Sequence, residues 1–156
     1  MSSSVALEGT IYAPSNGITA LAPKSNSPVP EQRWRSKQIN PSTISPVVLG
    51  KQLFSINGAG VISSADTDTG EGRWKLRLTG PFSGSPVAAG TRLVAVNEKG
   101  LVQIVDVTTT PEGSLAGQLQ LPLVEETKEL ILSTPALSGK SIFVRTDGTL
   151  WRLGES

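Results

Sequence analysis

Residues 45–50 read SPVVLG, and the same pattern returns as SPVAAG at residues 85–90 and as TPALSG at residues 134–139. A weaker copy, SVALEG, stands at residues 4–9. The four copies begin 41, 40 and 49 residues apart. Self-similarity at a period of about 40 residues is the signature of a repeat architecture. The chain of 156 residues is therefore predicted to hold four copies of one structural unit.

A short run of β-branched and aromatic side chains follows each copy and ends in a turn. The runs are TIYA, QLFSI, RLVAV and SIFVR. Asn-Gly and Asp-Gly pairs tolerate the positive φ that tight hairpins require, so they predict hairpins at these places. The predicted turn residues are Asn57, Gly58, Gly100, Asp147 and Gly148. A further apolar run follows each turn, so the unit is a meander of short antiparallel strands.

The second copy continues into a fourth strand that carries a tryptophan. Residues 65–74 read ADTDTGEGRW, a turn followed by Trp74, and Trp34 precedes Trp74 by 40 residues. Four antiparallel strands in about 40 residues are typical of one blade of a β-propeller. The predicted fold is all-β, with about four four-stranded antiparallel blades of which the last is incomplete. The approximate repeats are residues 1–43, 44–83, 84–132 and 133–156, in one array over residues 1–156.

The stretch from Ala65 to Trp74 resembles the tryptophan-docking motif of quinoprotein-type (PQQ-like) propeller repeats. The resemblance implies that the indole of Trp74 stacks on a peptide of the next blade and that its N–H bonds to backbone. The implied blade-docking residues are Ala65, Asp66, Thr69, Gly70, Trp74 and Trp34. The first repeat keeps Trp34 but not the Asp and Thr-Gly, and the third repeat keeps Val105-Asp106 but has no Trp.

This PQQ-like family includes quinoprotein dehydrogenases, the outer-membrane assembly lipoprotein of Gram-negative bacteria, and sensor or scaffold domains. The resemblance therefore implies a periplasmic or extracellular location, although the opening residues MSSS do not form a signal peptide.

Composition restricts the chemistry that the chain can perform. With no Cys and no His, the chain lacks a thiol nucleophile, a disulfide scaffold and the commonest general base. A formal net charge of +1 does not suit a nucleic-acid binder, and no apolar run is long enough to span a membrane. The partner expected is another protein.

Two motifs suggest ligand sites but are better explained by turns. Residues 66–71 (DTDTGE) alternate acidic residues as a calcium loop does, yet they lack the distal Glu of an EF-hand. The GxG patterns at residues 58–60 and 70–72 do not open helices, so they do not predict phosphate loops. The sequence thus predicts no catalytic, cofactor-binding or metal-binding residue and no cofactor.

The third repeat is longer than the second, and its extra residues lie at 108–113 and 123–133. Loops that break a repeat period often carry binding functions. An alternative is a long outer strand with a wider loop. The region is unusually aliphatic through Leu119, Leu121, Leu123, Leu130, Ile131 and Leu132.

An open arc of blades would expose an apolar face at each end, which water disfavours. A protein partner or a second copy is therefore expected to complete the propeller. The leading hypothesis is a non-catalytic protein-interaction scaffold. The alternative is a fragment of a quinoprotein (PQQ-dependent) oxidoreductase. A third hypothesis, a lectin-like propeller, depends on an exposed Trp151.

Overall fold

The computed structural model describes residues 2–108, 112–123 and 129–154, which form fifteen β-strands in four antiparallel sheets. These described residues contain no helix. Within each sheet the strands lie in the order in which they occur along the chain. Up-and-down sheets repeated in this way are propeller blades. The predicted all-β propeller class is confirmed, and the chain is a partial propeller.

The sheets are called blades 1 to 4, and the first three have four strands each. Blade 1 consists of β1 (Val5–Leu7), β2 (Thr10–Pro14), β3 (Ile18–Lys24) and β4 (Ser27–Ser36). Blade 2 consists of β5 (Val47–Leu49), β6 (Gln52–Ile56), β7 (Val61–Asp66) and β8 (Gly72–Arg77). Blade 3 consists of β9 (Val87–Ala89), β10 (Arg92–Val96), β11 (Leu101–Asp106) and β12 (Ser114–Gln120). Blade 4 consists of β13 (Ala136–Ser138), β14 (Ser141–Arg145) and β15 (Leu150–Leu153).

Strand position within a blade explains the hydrophobic pattern along the sequence. In β6 the last four residues are all buried, because neighbouring blades cover both faces of a second strand. In β8, an outer strand, fully exposed residues alternate with partly buried ones. Continuous apolar runs therefore mark the inner strands, and alternating polar runs mark the outer strands.

The register between strands allows positions in different blades to be equated. The ladder between the third and fourth strands shifts at one equivalent place in each of the first three blades, next to Ala20, Ser64 and Ile104, and blade 1 has a second shift after Ala22. Opposite these three residues stand Trp34, Trp74 and Gly117. A β-bulge strengthens the local twist of a strand, so its repetition at one position gives the outer strands the same geometry.

The predicted alignment of the first repeat is wrong by one residue. Val5 pairs with Tyr12 as Val47 pairs with Phe54, so the equivalent of Ser45 is residue 3 rather than residue 4. The sequence pattern equates Gly9 with Gly50, because both glycines follow the first strand of a repeat. The first turn residue in these hairpins has positive φ, and in blade 1 that residue is Glu8, with φ +48°.

Hydroxyl groups at the start of the repeats link each blade to the next. The backbone N–H of Ser3 donates to Ser45 Oγ at 2.9 Å, and that of Ser45 donates to Ser85 Oγ at 2.9 Å. The N–H of Ser85 donates in turn to Thr134 Oγ1 at 3.0 Å. The Ser or Thr at the head of each repeat therefore joins neighbouring blades, which gives a physical reason for its recurrence.

The core consists of three separate clusters, each lying between two consecutive blades. They are centred on Trp34 and Leu53, on Phe54 and Leu93, and on Val94 and Val144. The inner strand β1 contacts β5, β5 contacts β9, and β9 contacts β13. Among the described residues no core cluster joins blade 1 to blade 4, so the blades form an open arc.

Candidate functional site

The interface between blades 1 and 2 is built around Trp34. Its Nε1 donates to the Thr67 carbonyl oxygen at 2.9 Å, and its side chain is 9% exposed. The indole also meets Tyr12 at 5.8 Å between ring centroids, and burial raises the pKa of that tyrosine. Gly70 has φ +72°, and a Cβ at this position would overlap the Trp34 ring. Only glycine fits both the backbone conformation and the contact.

The turn that receives Trp34 is held in shape by Asp66. The Oδ1 atom of Asp66 accepts the N–H groups of Asp68 at 2.8 Å and Thr69 at 3.1 Å. Its Oδ2 atom forms an ion pair with Arg73, which holds the pKa of this carboxyl below its usual value. The Thr69 hydroxyl accepts the Glu71 N–H at 3.2 Å. These residues position the backbone that contacts the indole.

The interface between blades 2 and 3 repeats this arrangement with Trp74. Its ring lies 5.7 Å from Phe54, and a Cβ on Gly113 would come within 2.6 Å of Trp74. Asp106 is the equivalent of Asp66, and its Oδ1 accepts from the N–H of Thr108 at 2.9 Å. Hydrogen bonding to Thr108 lowers the pKa of Asp106. Trp74 is only partly buried.

The residues predicted as one docking set therefore serve two different interfaces. The structure brings Ala65, which is fully buried, together with Asp66, Thr69 and Gly70 around Trp34. Trp74 lies on the next interface. The sequence motif places its tryptophan after its own turn, but that turn accepts the tryptophan of the preceding blade.

A second polar link between blades 2 and 3 was missed by the sequence analysis. Gln103 is 1% exposed, and its amide accepts from the Thr79 N–H and donates to the Thr79 carbonyl, both at 2.9 Å. Asn97 Nδ2 donates to the same carbonyl at 2.9 Å. A glutamine inside the apolar run LVQIV was the available signal, because a buried amide needs partners.

The predicted hairpin residues lie in turns, but positive φ falls elsewhere in the first of them. Asn57 Oδ1 accepts from the N–H groups of Ala59 at 3.1 Å and Val61 at 3.0 Å, and Gly60 has φ +85° rather than Gly58. The turn comprises residues 57–60, so the residue with positive φ is the last one of the turn.

The same arrangement recurs in blade 3, whereas the turn in blade 4 is one residue shorter between the paired strand ends. In blade 3 the residue with positive φ is Gly100, at +82°. In blade 4, Asp147 and Gly148 lie between Thr146 and Thr149, and the Thr146 hydroxyl accepts the Thr149 N–H at 3.0 Å.

The interface between blades 3 and 4 lacks the outer-strand tryptophan of the other two interfaces. Gly117 stands in β12 where β4 and β8 carry tryptophan. Trp151 lies opposite Val144 and is partly buried, and its Nε1 is buried without a hydrogen-bond partner in the described part of the chain. Trp151 is therefore not the exposed platform that the lectin-like hypothesis required.

The aliphatic stretch of the third repeat divides into core and surface. Leu121 is 1% exposed and Ile131 is not exposed, so both belong to the core. Leu119, Leu130 and Leu132 are 53%, 44% and 58% exposed. The expected loop falls partly at residues 109–111 and 124–128, which lie outside the described residues.

Acidic residues do not gather into a metal site among the described residues, where no group of three or more ligand-type side chains occurs. The same part of the chain has no helix long and apolar enough to cross a membrane.

The sheets and their interfaces define a protein of the PQQ-like β-propeller class. The family model described as outer membrane protein assembly factor BamB matches residues 14–111, and the chain belongs to this family. A search of the curated proteins found no match.

Three solved structures illustrate the similarity in fold. BamB from Moraxella catarrhalis is 17% identical, with a TM-score of 0.68 over 93% of this chain and 42% of its own. Quinohemoprotein alcohol dehydrogenase ADHIIG from Pseudomonas putida HK5 is 12% identical, with a TM-score of 0.69 over 93% of this chain and 28% of its own. The β-propeller domain of Myceliophteria thermophila Swd1 is 12% identical, with a TM-score of 0.72 over 95% and 52%. The chain thus spans less than half the length of the BamB structure.

Proposed function

We propose that this chain is a non-catalytic protein-interaction scaffold. The observation that carries the proposal is the match of residues 14–111 to the family model of an outer membrane protein assembly factor. An assembly factor works by holding other proteins, and rigid blades that present strand edges and loops suit that task.

The chemistry of the interfaces supports a structural use of the polar side chains. Asp66 and Asp106 have lowered pKa values because hydrogen bonds within their own turns favour the carboxylate. A carboxylate with a lowered pKa is a poor general base near neutral pH. The buried amide of Gln103 is bonded to backbone of the preceding blade. Gln103 joins two blades, and Asp66 and Asp106 hold their own turns, so the structural role of these polar groups leaves the surface for contacts with a partner.

The exposed leucines of the third repeat are the best candidates for the contact surface. Leu119 and Leu132 are each more than half exposed, and they lie in the repeat that exceeds the 40-residue period, where binding functions are often carried. Val29 in blade 1 is 69% exposed and serves as a matched control.

Site-specific photo-crosslinking tests this assignment. A photoreactive phenylalanine at position 119 or 132 should give a discrete adduct in extracts of the native cells, and the same residue at position 29 should not. The captured protein is then purified and its binding to the wild-type chain and to Leu119→Ser is measured. Equal crosslinking at all three positions, or none, contradicts the assignment.

We further propose that a protein partner or a second copy covers the ends of the arc. Ile11 and Leu21 lie on the face of blade 1 that points away from blade 2. Phe143 and Leu150 lie on the face of blade 4 that points away from blade 3. Leu150 is 68% exposed. Burying several hundred Å² of apolar surface at each end is worth about 10 kcal/mol, which exceeds common estimates of the cost of association.

Sedimentation equilibrium at micromolar protein distinguishes these occupants. A mass of twice 16.3 kDa assigns both ends to a second copy. A mass of 16.3 kDa at every concentration overturns the assignment to a second copy.

A second candidate function is a part of a quinoprotein oxidoreductase. It is favoured by the similarity in fold to the quinohemoprotein alcohol dehydrogenase over 93% of this chain. Titration with pyrroloquinoline quinone and Ca²⁺, followed by absorbance, separates the two candidates. Tight stoichiometric binding would replace the scaffold proposal, and no spectral change is the result expected of a scaffold.

A further inference from the structure

The interfaces between blades use a repeated pair of aromatic rings. In the first interface Tyr12 meets Trp34 at 5.8 Å with an interplanar angle of 42°. In the second interface Phe54 meets Trp74 at 5.7 Å and 48°. Tilted pairs at this separation are favourable, and both rings bury a large apolar area. One ring comes from the second strand of a blade and the other from its fourth strand.

In the third interface both rings are replaced by small groups. Val94 occupies in β10 the register position of Tyr12, and Gly117 occupies in β12 the register position of Trp34. A Cβ built on Gly117 meets no atom within 4 Å. An isopropyl group and a hydrogen atom therefore stand where the sister interfaces hold two aromatic side chains.

A groove of about 230 Å³ lies between blades 3 and 4. Val94 and Ile104 line it from blade 3, and Leu137 and Ile142 line it from blade 4. Ile104 is larger than Ala20, its equivalent beside Trp34, and fills part of the space. The remaining volume has apolar walls at the positions that surround an indole elsewhere in the protein.

Two cationic residues stand beside the apolar walls. Arg92 and Lys140 line the groove, and Arg92 lies across the strand pair from Asp106. Lys140 occupies the hairpin-turn position of Lys51, which forms an ion pair with Asp68 at 3.8 Å. No carboxylate in the described part of the chain pairs with Lys140. The groove thus combines an aromatic-sized apolar space with the ammonium group of Lys140 at its edge.

We propose that the groove between blades 3 and 4 receives an aromatic side chain, with a carboxylate next to it, from an extended segment of a partner protein. An indole is the best fit, because indoles occupy the equivalent places in the other two interfaces. The carboxylate pairs with the ammonium group of Lys140, as Asp68 pairs with Lys51 in blade 2. This inference deepens the scaffold proposal by naming the chemistry that a partner presents.

Small tryptophan derivatives test the groove directly by ¹H–¹⁵N NMR. N-acetyl-tryptophanamide should shift the amide signals of Ile104, Leu137 and Ile142, with a dissociation constant on the order of 1 mM, as befits one buried side chain. N-acetyl-tryptophan, which carries a carboxylate, should bind about 1.5- to 5-fold more tightly, and Lys140→Gln should remove this preference. N-acetyl-leucinamide is the control ligand. Absence of shifts at these residues with both tryptophan derivatives overturns the proposal.

Filling the groove from within gives a matched pair of variants. Gly117→Trp places an indole opposite Ile104, which lines the groove, and should abolish binding of N-acetyl-tryptophan. Gln118→Trp adds the same side chain at the next residue, which points to the other face of the strand, and should leave binding unchanged. Val94→Phe, which restores the other ring, should weaken binding if Gly117→Trp does not fold. Unchanged binding in Gly117→Trp or in Val94→Phe overturns the proposal.

The scaffold proposal and the groove proposal fail separately. Crosslinking from positions 119 and 132 does not depend on the groove, so loss of tryptophan binding leaves the scaffold assignment standing. If the wild-type chain sediments as a dimer and Gly117→Trp sediments as a monomer, the groove is occupied by a second copy. That result overturns the proposal of a different partner protein.

Discussion

The first and third interfaces between blades show how far one repeat plan can vary. Trp34 fills the first interface, contacts Gly70 and donates to the Thr67 carbonyl. In the third interface Gly117 replaces the indole, and Trp151 buries an Nε1 that has no partner among the described residues. The inner strands of both interfaces pair in the same register. The inner strands therefore have the same pairing in every blade, while the side chains of the outer strands determine how strongly two blades are joined.

This difference predicts an uneven distribution of stability. Blade 4 has an apolar contact cluster with blade 3 and a hydrogen bond from Ser85 to Thr134, but among the described residues it has no indole hydrogen bond like that of Trp34. Regions with fewer buried links open first. The variants below test whether the first interface is the stronger of the two.

Removal of the first indole should have the largest effect. Trp34→Ala deletes a buried aromatic side chain and its hydrogen bond, so it should lower the free energy of unfolding by about 3–5 kcal/mol. Trp74→Ala should cost less, because Trp74 is more exposed. Urea denaturation followed by circular dichroism measures both. A loss below about 1 kcal/mol for Trp34→Ala would show that the indole does not join the blades.

Substitution of two glycines sharpens the comparison. Gly70→Ala forces a side chain into a left-handed backbone and against Trp34, and should cost about 2–4 kcal/mol. Gly117→Ala meets open space on a strand and should be neutral or stabilising by about 0.5–1 kcal/mol. Similar thermal unfolding temperatures for the two variants would contradict the difference between the interfaces.

The buried amide of the second interface should have an intermediate effect. Gln103→Ala leaves the N–H group of Thr79 without its partner, while the Thr79 carbonyl keeps the Asn97 amide, and should cost about 1–3 kcal/mol. Gln118→Ala, on the exposed outer strand of the same blade, is the control and should change little. If both variants lose the same stability, the amide does not link the blades.

The smallest effect should come from the Asp66–Arg73 ion pair, and it should depend on pH. The folded pKa of Asp66 is lowered, so its contribution is present above the unfolded pKa of about 4 and is lost as the pH falls through the folded value. Asp66→Asn keeps a side-chain oxygen for the turn and should cost about 0.5–1 kcal/mol at pH 7, since the pair is partly exposed. Denaturation at pH 7 and pH 2.5 should show the difference shrinking on acidification. A difference that grows in acid would contradict this role.

Much of the fold was predictable because its signals are local. The Ser-Pro and Thr-Pro heads, the short apolar runs and the Gly-containing turns each act within a few residues of the chain. Alignment of the first repeat was wrong because Glu8 takes a positive φ that sequence patterns assign to glycine. The partners of Trp34 were hidden for another reason, since Thr67 lies 33 residues away in a different blade.

The sequence by itself determined the repeat, its strands and the presence of tryptophan on the outer strands, since a period of about 40 residues and alternation of side chains are properties of the chain alone. Only the tertiary structure decided which turn receives which indole and where an indole is missing. Blade-to-blade packing brings together side chains from different repeats, and their contacts depend on the angle and register between whole sheets. The groove between blades 3 and 4 exists for that reason. Val94 and Ile104 line it from one blade, and Leu137 and Ile142 of the next blade form the opposite wall.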